Sequence, residues 1–338
     1  MRIVFIGGTG GFIGTRVIQK LAARGHEVTV FHRGETNTEL PVGVREILGD
    51  RQRLAGHAMK FKRLRPDVVV DNFLRYEREA IDLMDVFRGV VERVVAISSQ
   101  DVYRNFGLLL GREKSESNKL PITEDGFLRS VLYPYRDTVV HEEDPKYDYD
   151  KIPCEQVVMN DAEIAGTVLR LPATYGPGDK QHRIFPYLRR MDDGRDFILL
   201  EDAEALWRWT HGFVENVADA IVMAVEDERA SNRTYNVGEP DALSRKEWVE
   251  AIGSAAGWEG EVISLPKDKL PEHLRSPVAF AHDMVVDTNR IRAELGYEEK
   301  VSREDALVAT VEWERMNPPA DIDPIQFDYE AEDAANPR

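Results

Sequence analysis

Cysteine is nearly missing: Cys154 stands alone in 338 residues, which excludes an internal disulfide framework and points to a reducing compartment. Long apolar runs are missing too. No stretch approaches the roughly 20 residues a membrane span requires, and no basic segment followed by a cleavable apolar one opens the chain. Positive charge is in deficit. The formal net charge is −17, and such a surface repels polyanions and anionic membranes. No internal repeat is found. The expectation is a cytoplasmic protein that engages neither nucleic acid nor membrane.

At 338 residues and 42% hydrophobic, the chain can bury a large core, and its length suggests roughly two domains. It opens MRIVFIGGTGGFIG, with Gly8, Gly11 and Gly14 spaced three apart. Arg2 to Ile6 reads as a buried parallel strand. Phe12 to Arg24 carries Phe12, Ile13, Val17, Ile18 and Leu21 at helical spacing, so the glycines occupy a strand-to-helix junction. Glycine lets the backbone approach phosphate oxygens, and the free N–H groups and dipole of the next helix favour negative charge. A dinucleotide diphosphate fits this description.

Strand-like runs (Glu27–His32, Val68–Asp71, Val94–Ser98, Thr167–Leu171, Thr234–Val237) alternate with helical ones (Ala80–Arg88, Val217–Asp227). This alternation implies an α/β fold with a doubly wound parallel sheet. The expected dinucleotide-binding domain is discontinuous, comprising residues 1–171 and 212–238. A smaller lobe, residues 172–211 and 239–316, would lie over the carboxyl ends of the strands, where ligands bind in such folds. Residues 317–338 form an acidic, proline-containing tail that reads as solvated, although Phe327 and Tyr329 could pin part of it.

A second constellation is Ser98-Ser99-Gln100-Asp101-Val102-Tyr103 at a strand end, followed by Tyr147-Asp148-Tyr149-Asp150-Lys151. Further landmarks are Gly49-Asp50, Glu155, Tyr175-Gly176-Pro177-Gly178-Asp179, Tyr235-Asn236-Val237-Gly238 and Asp287-Thr288-Asn289-Arg290. In this order they resemble the extended short-chain dehydrogenases, and more narrowly the NAD-dependent epimerase/dehydratase family typified by UDP-glucose 4-epimerase. The resemblance implies a Rossmann-type fold with a C-terminal substrate lobe. It makes Tyr147 the catalytic acid/base and Lys151 the residue that holds the cofactor ribose and lowers the tyrosine pKa. Ser99 would bond the reacting oxygen. Hydride transfer at an alcohol carbon requires such a proton relay, because a free tyrosine is a poor base at neutral pH. Positions four apart share a helical face, so Tyr147 and Lys151 are expected to meet while Tyr149 points elsewhere. Pro153 is tolerable only in the first helical turn, in which case Tyr147 precedes the regular helix.

The candidate cofactor contacts are Gly8, Gly11, Phe12, Ile13, Gly14, Arg33, Asp50, Arg51 and Lys151. No acidic residue ends the second strand to accept bonds from a ribose 2′-hydroxyl. Arg33 can instead meet a 2′-phosphate with paired donors, which favours NADP over NAD. The resemblance makes Asp50 the adenine contact, and bulky Asp71-Asn72-Phe73-Leu74 stands where small residues usually flank the diphosphate.

Substrate candidates are Arg208, His211 and Arg275. Arg208 stands one residue early against the family pattern, and such a slip turns a strand side chain to the other face unless a bulge absorbs it. Residues 104–146 form an insertion expected to act as a lid. In the dehydratases of this family an Asp-Glu pair follows the catalytic serine or threonine. Here the positions are Gln100 and Asp101, so Asp101 remains as a proton-handling group beyond the tyrosine and 4,6-dehydration is not the expected reaction. The reading is an NAD(P)-dependent enzyme acting on a sugar or nucleotide sugar, able to form a homodimer. The GGTxFIG and HEVTVFxRG phrasing also resembles chloroplast stem-loop RNA-binding proteins, and a non-catalytic NADP-sensing regulator is a further alternative. No metal site is expected.

Overall fold

The computed structural model describes residues 1–36, 39–278 and 280–337. Its strands, in chain order, are β1 (Arg2–Ile6), β2 (Glu27–His32), β3 (Arg45–Leu48), β4 (Val68–Asp71), β5 (Arg93–Ser99), β6 (Ala165–Leu171), β7 (Ala173–Tyr175), β8 (Phe197–Glu201), β9 (His211–Phe213), β10 (Arg233–Asn236) and β11 (Glu261–Leu265). Seven of them form a parallel sheet in the order β10-β6-β5-β4-β1-β2-β3. The order reverses at β1, which places the glycine turn after β1 at the topological switch point where ligands bind in such sheets.

Both faces of this sheet are covered, which explains the unbroken apolar run of β1. Ile3 and Phe5 pack into one core with Val17, Ile18 and Leu21 of helix Ile13–Ala23, and Val4 and Ile6 pack into the opposite core with Phe31 and Phe61. A third apolar cluster gathers Tyr175, Leu188, Leu200, Phe213, Trp248 and Val311 around the paired strands β7–β9 and β8–β11. Edge strand β3 was not expected. Arg45, Glu46 and Leu48 are exposed and Ile47 is partly buried, so it lacks the apolar density that marked the other strands.

The tail departs from the solvated expectation. Residues Tyr329–Ala335 form a helix whose Glu332 is fully buried, accepting from Arg190 at 2.6 Å and pairing with His273 at 3.1 Å. Phe327 meets Phe185 edge-on at 6.1 Å, and Tyr329 donates to Asp193 at 2.7 Å. The physical reason is charge. Buried Arg190 requires a carboxylate, and the acidic segment supplies it from 142 residues away.

The inner half of the insertion is part of the body. Ile122 exchanges backbone bonds with Val285 and Asp287 at 2.8 Å, and Glu124 accepts the backbone N–H of Asn236 at 2.9 Å. Farther out, Val140 is largely bare.

Candidate functional site

Gly7, Gly8 and Gly11 take φ of +76°, +86° and +86°, a region side chains rarely adopt. Space forbids a Cβ as well: one on Gly14 would lie 2.3 Å from the Gly8 Cα. Thr15 ties the turn together, accepting the Gly11 N–H and donating to the Gly8 carbonyl, both at 3.1 Å. The helix that follows begins at Ile13 with no side-chain cap, so its first N–H groups lack intrahelical partners and favour an anion. The turn borders a cavity of about 540 Å³ that Gly8, Phe12, Ile13, Gly14, Arg33, Asp50, Arg51, Asn72, Phe73 and Lys180 line. Its size suits a cofactor pocket, and the bare glycine cradle with the uncapped helix start fits a dinucleotide diphosphate.

Arg33, at the end of β2, is exposed and pairs with Glu35 at 2.9 Å. Asp50 accepts the Gln52 N–H at 3.0 Å. Arg51 reaches inward to Asp71 at 2.5 Å and Glu79 at 3.2 Å. Burial works against its charge, but the two carboxylates outweigh that and raise its pKa. The bulky segment Asp71–Leu74 thus has a structural purpose. Asp71 is fully buried as the counter-ion of Arg51, while Asn72 and Phe73 line the cavity without filling it.

The expected meeting of Tyr147 and Lys151 on one helical face does not occur. The helix spans Lys151–Met159, capped by Asp150, which accepts the Ile152 N–H at 2.9 Å. Pro153 therefore falls in the first turn, and Tyr147 lies ahead of the helix with its hydroxyl on Glu142 at 3.2 Å, facing solvent. Tyr149 takes the inner position instead. Its hydroxyl donates to Asp101 Oδ2 at 2.8 Å, its ring centroid stands 6.0 Å from Lys151 Nζ, and Tyr135 packs on it at 5.5 Å.

Lys151 is buried, and its Nζ donates to the carbonyls of Leu74 and Ile97, the latter at 3.0 Å. Ile97 itself lines the cavity, so Lys151 sits directly behind the cavity wall. Burial lowers its pKa, against the pull of nearby Asp101, Asp71 and Glu79. Ser99 accepts the Asp101 N–H at 3.2 Å. Asp101 is buried with Oδ1 unpartnered, and burial raises its pKa. Burial, then the charge of Asp101, holds the Tyr149 hydroxyl well above its usual range.

The three substrate candidates lie away from the cavity. Arg208 donates to the Ala242 carbonyl at 2.9 Å and to Glu247 at 3.2 Å. His211 is buried on β9, stacked on Trp248 at 3.9 Å and 9°, and burial drives its pKa far down, leaving it neutral. Arg275 turns back to the Leu270 carbonyl at 2.8 Å. Among the described residues, no cluster of His, Cys, Asp and Glu could hold a metal ion, and no helix is long and apolar enough to cross a membrane.

Comparison with known proteins adds to this geometry. Residues 135–238 match the model of the NAD dependent epimerase/dehydratase family. The chain is similar to a dTDP-glucose 4,6-dehydratase of Streptomyces griseus, 30% identical over 149 residues that cover 43% of this chain and 42% of that protein. It is also similar to a 2'-dehydrokanamycin reductase of Streptomyces kanamyceticus, 24% identical over 281 residues that cover 81% and 72%. The match thus reaches less than half the length of the dehydratase and most of that of the reductase.

Solved structures with the same fold include the UDP-glucose 4-epimerase of Thermus thermophilus complexed with NAD, with TM-score 0.65 and 22% identity, covering 94% of this chain and 100% of that one. Another is the Bordetella bronchiseptica enzyme WbmG with NAD and UDP, with TM-score 0.70 and 18% identity, covering 96% and 97%. The family match runs from the outer insertion through Lys151 to the last strand of the sheet, and the dinucleotide cradle opens that same sheet. Residues 135–238 are thus similar to the NAD-dependent epimerase/dehydratase family, and the sheet as a whole has the fold of the solved epimerase structures.

Proposed function

We propose that this chain is a nicotinamide-dependent enzyme acting at a carbonyl or alcohol carbon of a sugar or nucleotide sugar, with Tyr149 rather than Tyr147 handling the proton. One observation carries this reading: Tyr149 bonds Asp101 at 2.8 Å beside Lys151, whose ammonium is fixed to the backbone of cavity-lining Ile97. The similar proteins support it, since they include a reductase, dehydratases and enzymes solved with NAD. Gly8, Gly11, Phe12, Ile13 and Gly14 would hold the diphosphate, with Arg33, Asp50 and Arg51 at the adenosine end. When bound, the nicotinamide accepts or supplies a hydride.

The remaining chemistry falls to the chain. Ser99 accepts the Asp101 N–H, so its own hydroxyl hydrogen is free to donate to a substrate oxygen. Tyr149 keeps its proton at neutral pH because burial and Asp101 raise its pKa. It is therefore poised as the acid that protonates an oxygen gaining charge. Asp101, itself raised by burial, is placed to return that proton. Lys151 supplies positive potential behind both groups. This arrangement favours the reductive direction, since oxidation would require Tyr149 as phenolate. Gln100 donates its amide to the Val237 carbonyl at 3.0 Å and cannot serve as a carboxylic acid, which argues against 4,6-dehydration.

The choice between cofactors rests on Arg33, which we read as favouring NADP(H), with the preference weakened by its pairing to Glu35. The outer arm, residues 132–146, brings Tyr135 against Tyr149 and is suited to act as a lid over the substrate. The test is reduction of a panel of keto-sugars and nucleotide-linked keto-sugars by NADPH and NADH, monitored by loss of cofactor absorbance and by product mass. Reduction by wild type that disappears in Tyr149→Phe supports the reading. No reduction of any member, or a 4-keto-6-deoxy product from a nucleotide sugar, overturns it.

A further inference from the structure

We propose that Lys180 is the cation that meets the dinucleotide diphosphate from the side opposite the glycine turn. The inference rests on the cofactor reading above and extends it to a residue outside the sheet.

Four arginine and lysine side chains line the cavity: Arg33, Arg51, Arg75 and Lys180. Three are already engaged. Arg33 pairs with Glu35, and Arg51 pairs with Asp71 and Glu79. Arg75 lies 3.9 Å from Glu79 and covers the rings of Phe73 and Tyr76 at 4.3 and 4.8 Å. Lys180 alone of the four has no ion pair or hydrogen bond among the described residues, in a chain whose formal charge is −17. An ammonium left unmatched in so acidic a protein, at the wall of an anion cradle, is a site built for an incoming negative charge.

The backbone around Lys180 is fixed while its ammonium is free. Asp179 accepts from Arg183 at 2.7 Å and from the Gln181 N–H at 3.0 Å, and His182 bonds Glu314 at 2.5 Å. Arg16, on the helix that leaves the glycine turn, donates to the Pro177 carbonyl at 2.8 Å. Gly178, at φ +91°, presses so closely on the turn that a Cβ there would lie 2.6 Å from the Gly11 carbonyl. The loop carrying Lys180 therefore rests on the turn. Lys180 Nζ comes 3.8 Å from where a Gly10 Cβ would stand, so it hangs over the same few residues whose N–H groups favour the phosphates from below.

The experiment is calorimetric titration of ADP-ribose into wild type, Lys180→Gln and Lys180→Arg at low and high salt, with the ligand-free thermal midpoint of each. Lys180→Gln is expected to weaken ADP-ribose binding about tenfold, the effect of one charge-assisted hydrogen bond of roughly 1.4 kcal/mol. Its salt dependence should also be shallower. Lys180→Arg should bind within a few-fold of wild type, and all three midpoints should agree. Equal affinity of wild type and Lys180→Gln overturns the role of Lys180 and leaves the cofactor reading intact. Weaker binding accompanied by a lower ligand-free midpoint also overturns it, assigning Lys180 to the structure of the loop. Absence of ADP-ribose binding in wild type overturns both.

Discussion

Substituting Tyr149 by Phe removes one oxygen atom and separates two accounts of this site. The lost hydroxyl is the donor to Asp101 Oδ2 at 2.8 Å, and Oδ1 of the same carboxylate already has no partner. The variant leaves a buried carboxyl with neither oxygen bonded, which costs about 1–3 kcal/mol if it stays ionised. It avoids much of that by protonating, since burial already raises its pKa. Catalysis has no such escape. Loss of a positioned acid lowers turnover by about 10²–10⁴-fold, or roughly 3–5 kcal/mol of barrier at 1.36 kcal/mol per decade. Tyr147→Phe removes only a solvent-facing bond to Glu142, and its turnover should match wild type. Steady-state kcat and KM with the preferred cofactor, alongside cofactor affinity, decide the matter: Tyr149→Phe should lose kcat and keep cofactor affinity within a few-fold. If Tyr147→Phe is the inactive variant and Tyr149→Phe retains most activity, the assignment is wrong.

Burial raises the Asp101 pKa, and its protonated form is the one that replenishes Tyr149. Reductive turnover should therefore be full below that pKa and fall as pH rises through it, and Asp101→Asn should be slow and lack that limb in its pH profile. Arg33→Ala should abolish the preference for NADP(H) over NAD(H), while Glu35→Gln, by releasing Arg33 from its 2.9 Å pair, should enlarge it; comparative Kd values check both. Glu332→Ala strands the buried Arg190 guanidinium and should destabilise the protein by roughly 3–5 kcal/mol, as breaking a buried pair does, seen as a clear fall in the thermal midpoint.

The sheet was legible because both of its faces are buried. Ile3 to Ile6 are each at most 1% exposed, so β1 had to be a continuous apolar run, and the same holds for β4 and β5. Edge strand β3 escaped notice for the opposite reason. The glycine turn was legible because its constraint is local: positive φ and a 2.3 Å approach leave no alternative to glycine. The partners of Arg51 and Arg190 were not, since an arginine's counter-ion is chosen by packing between distant segments. The tyrosine register is an intermediate case. A spacing of four means a shared face only if the helix runs through both positions, and Asp150 followed by Pro153 marks a helix start between them. The signal was present in the sequence, and the motif spacing outweighed it.

What places that helix start is the inner half of the insertion. Arg129 and Asp150, both buried, pair at 2.9 Å, and Asp150 also caps Ile152 and accepts the Tyr133 N–H at 2.6 Å. The same guanidinium donates from Nε to the Asp101 carbonyl at 2.6 Å. One arginine from the insertion thus joins the turn after β5, which carries Ser99 and Asp101, to the residue that begins the helix of Lys151. Asp150, committed to capping, is itself extended after a series of turns, and Tyr149, one residue earlier, is delivered to Asp101 while Tyr147 is left on the outer arm. The insertion therefore does more than overhang the site: through Arg129 it determines which tyrosine reaches the carboxylate.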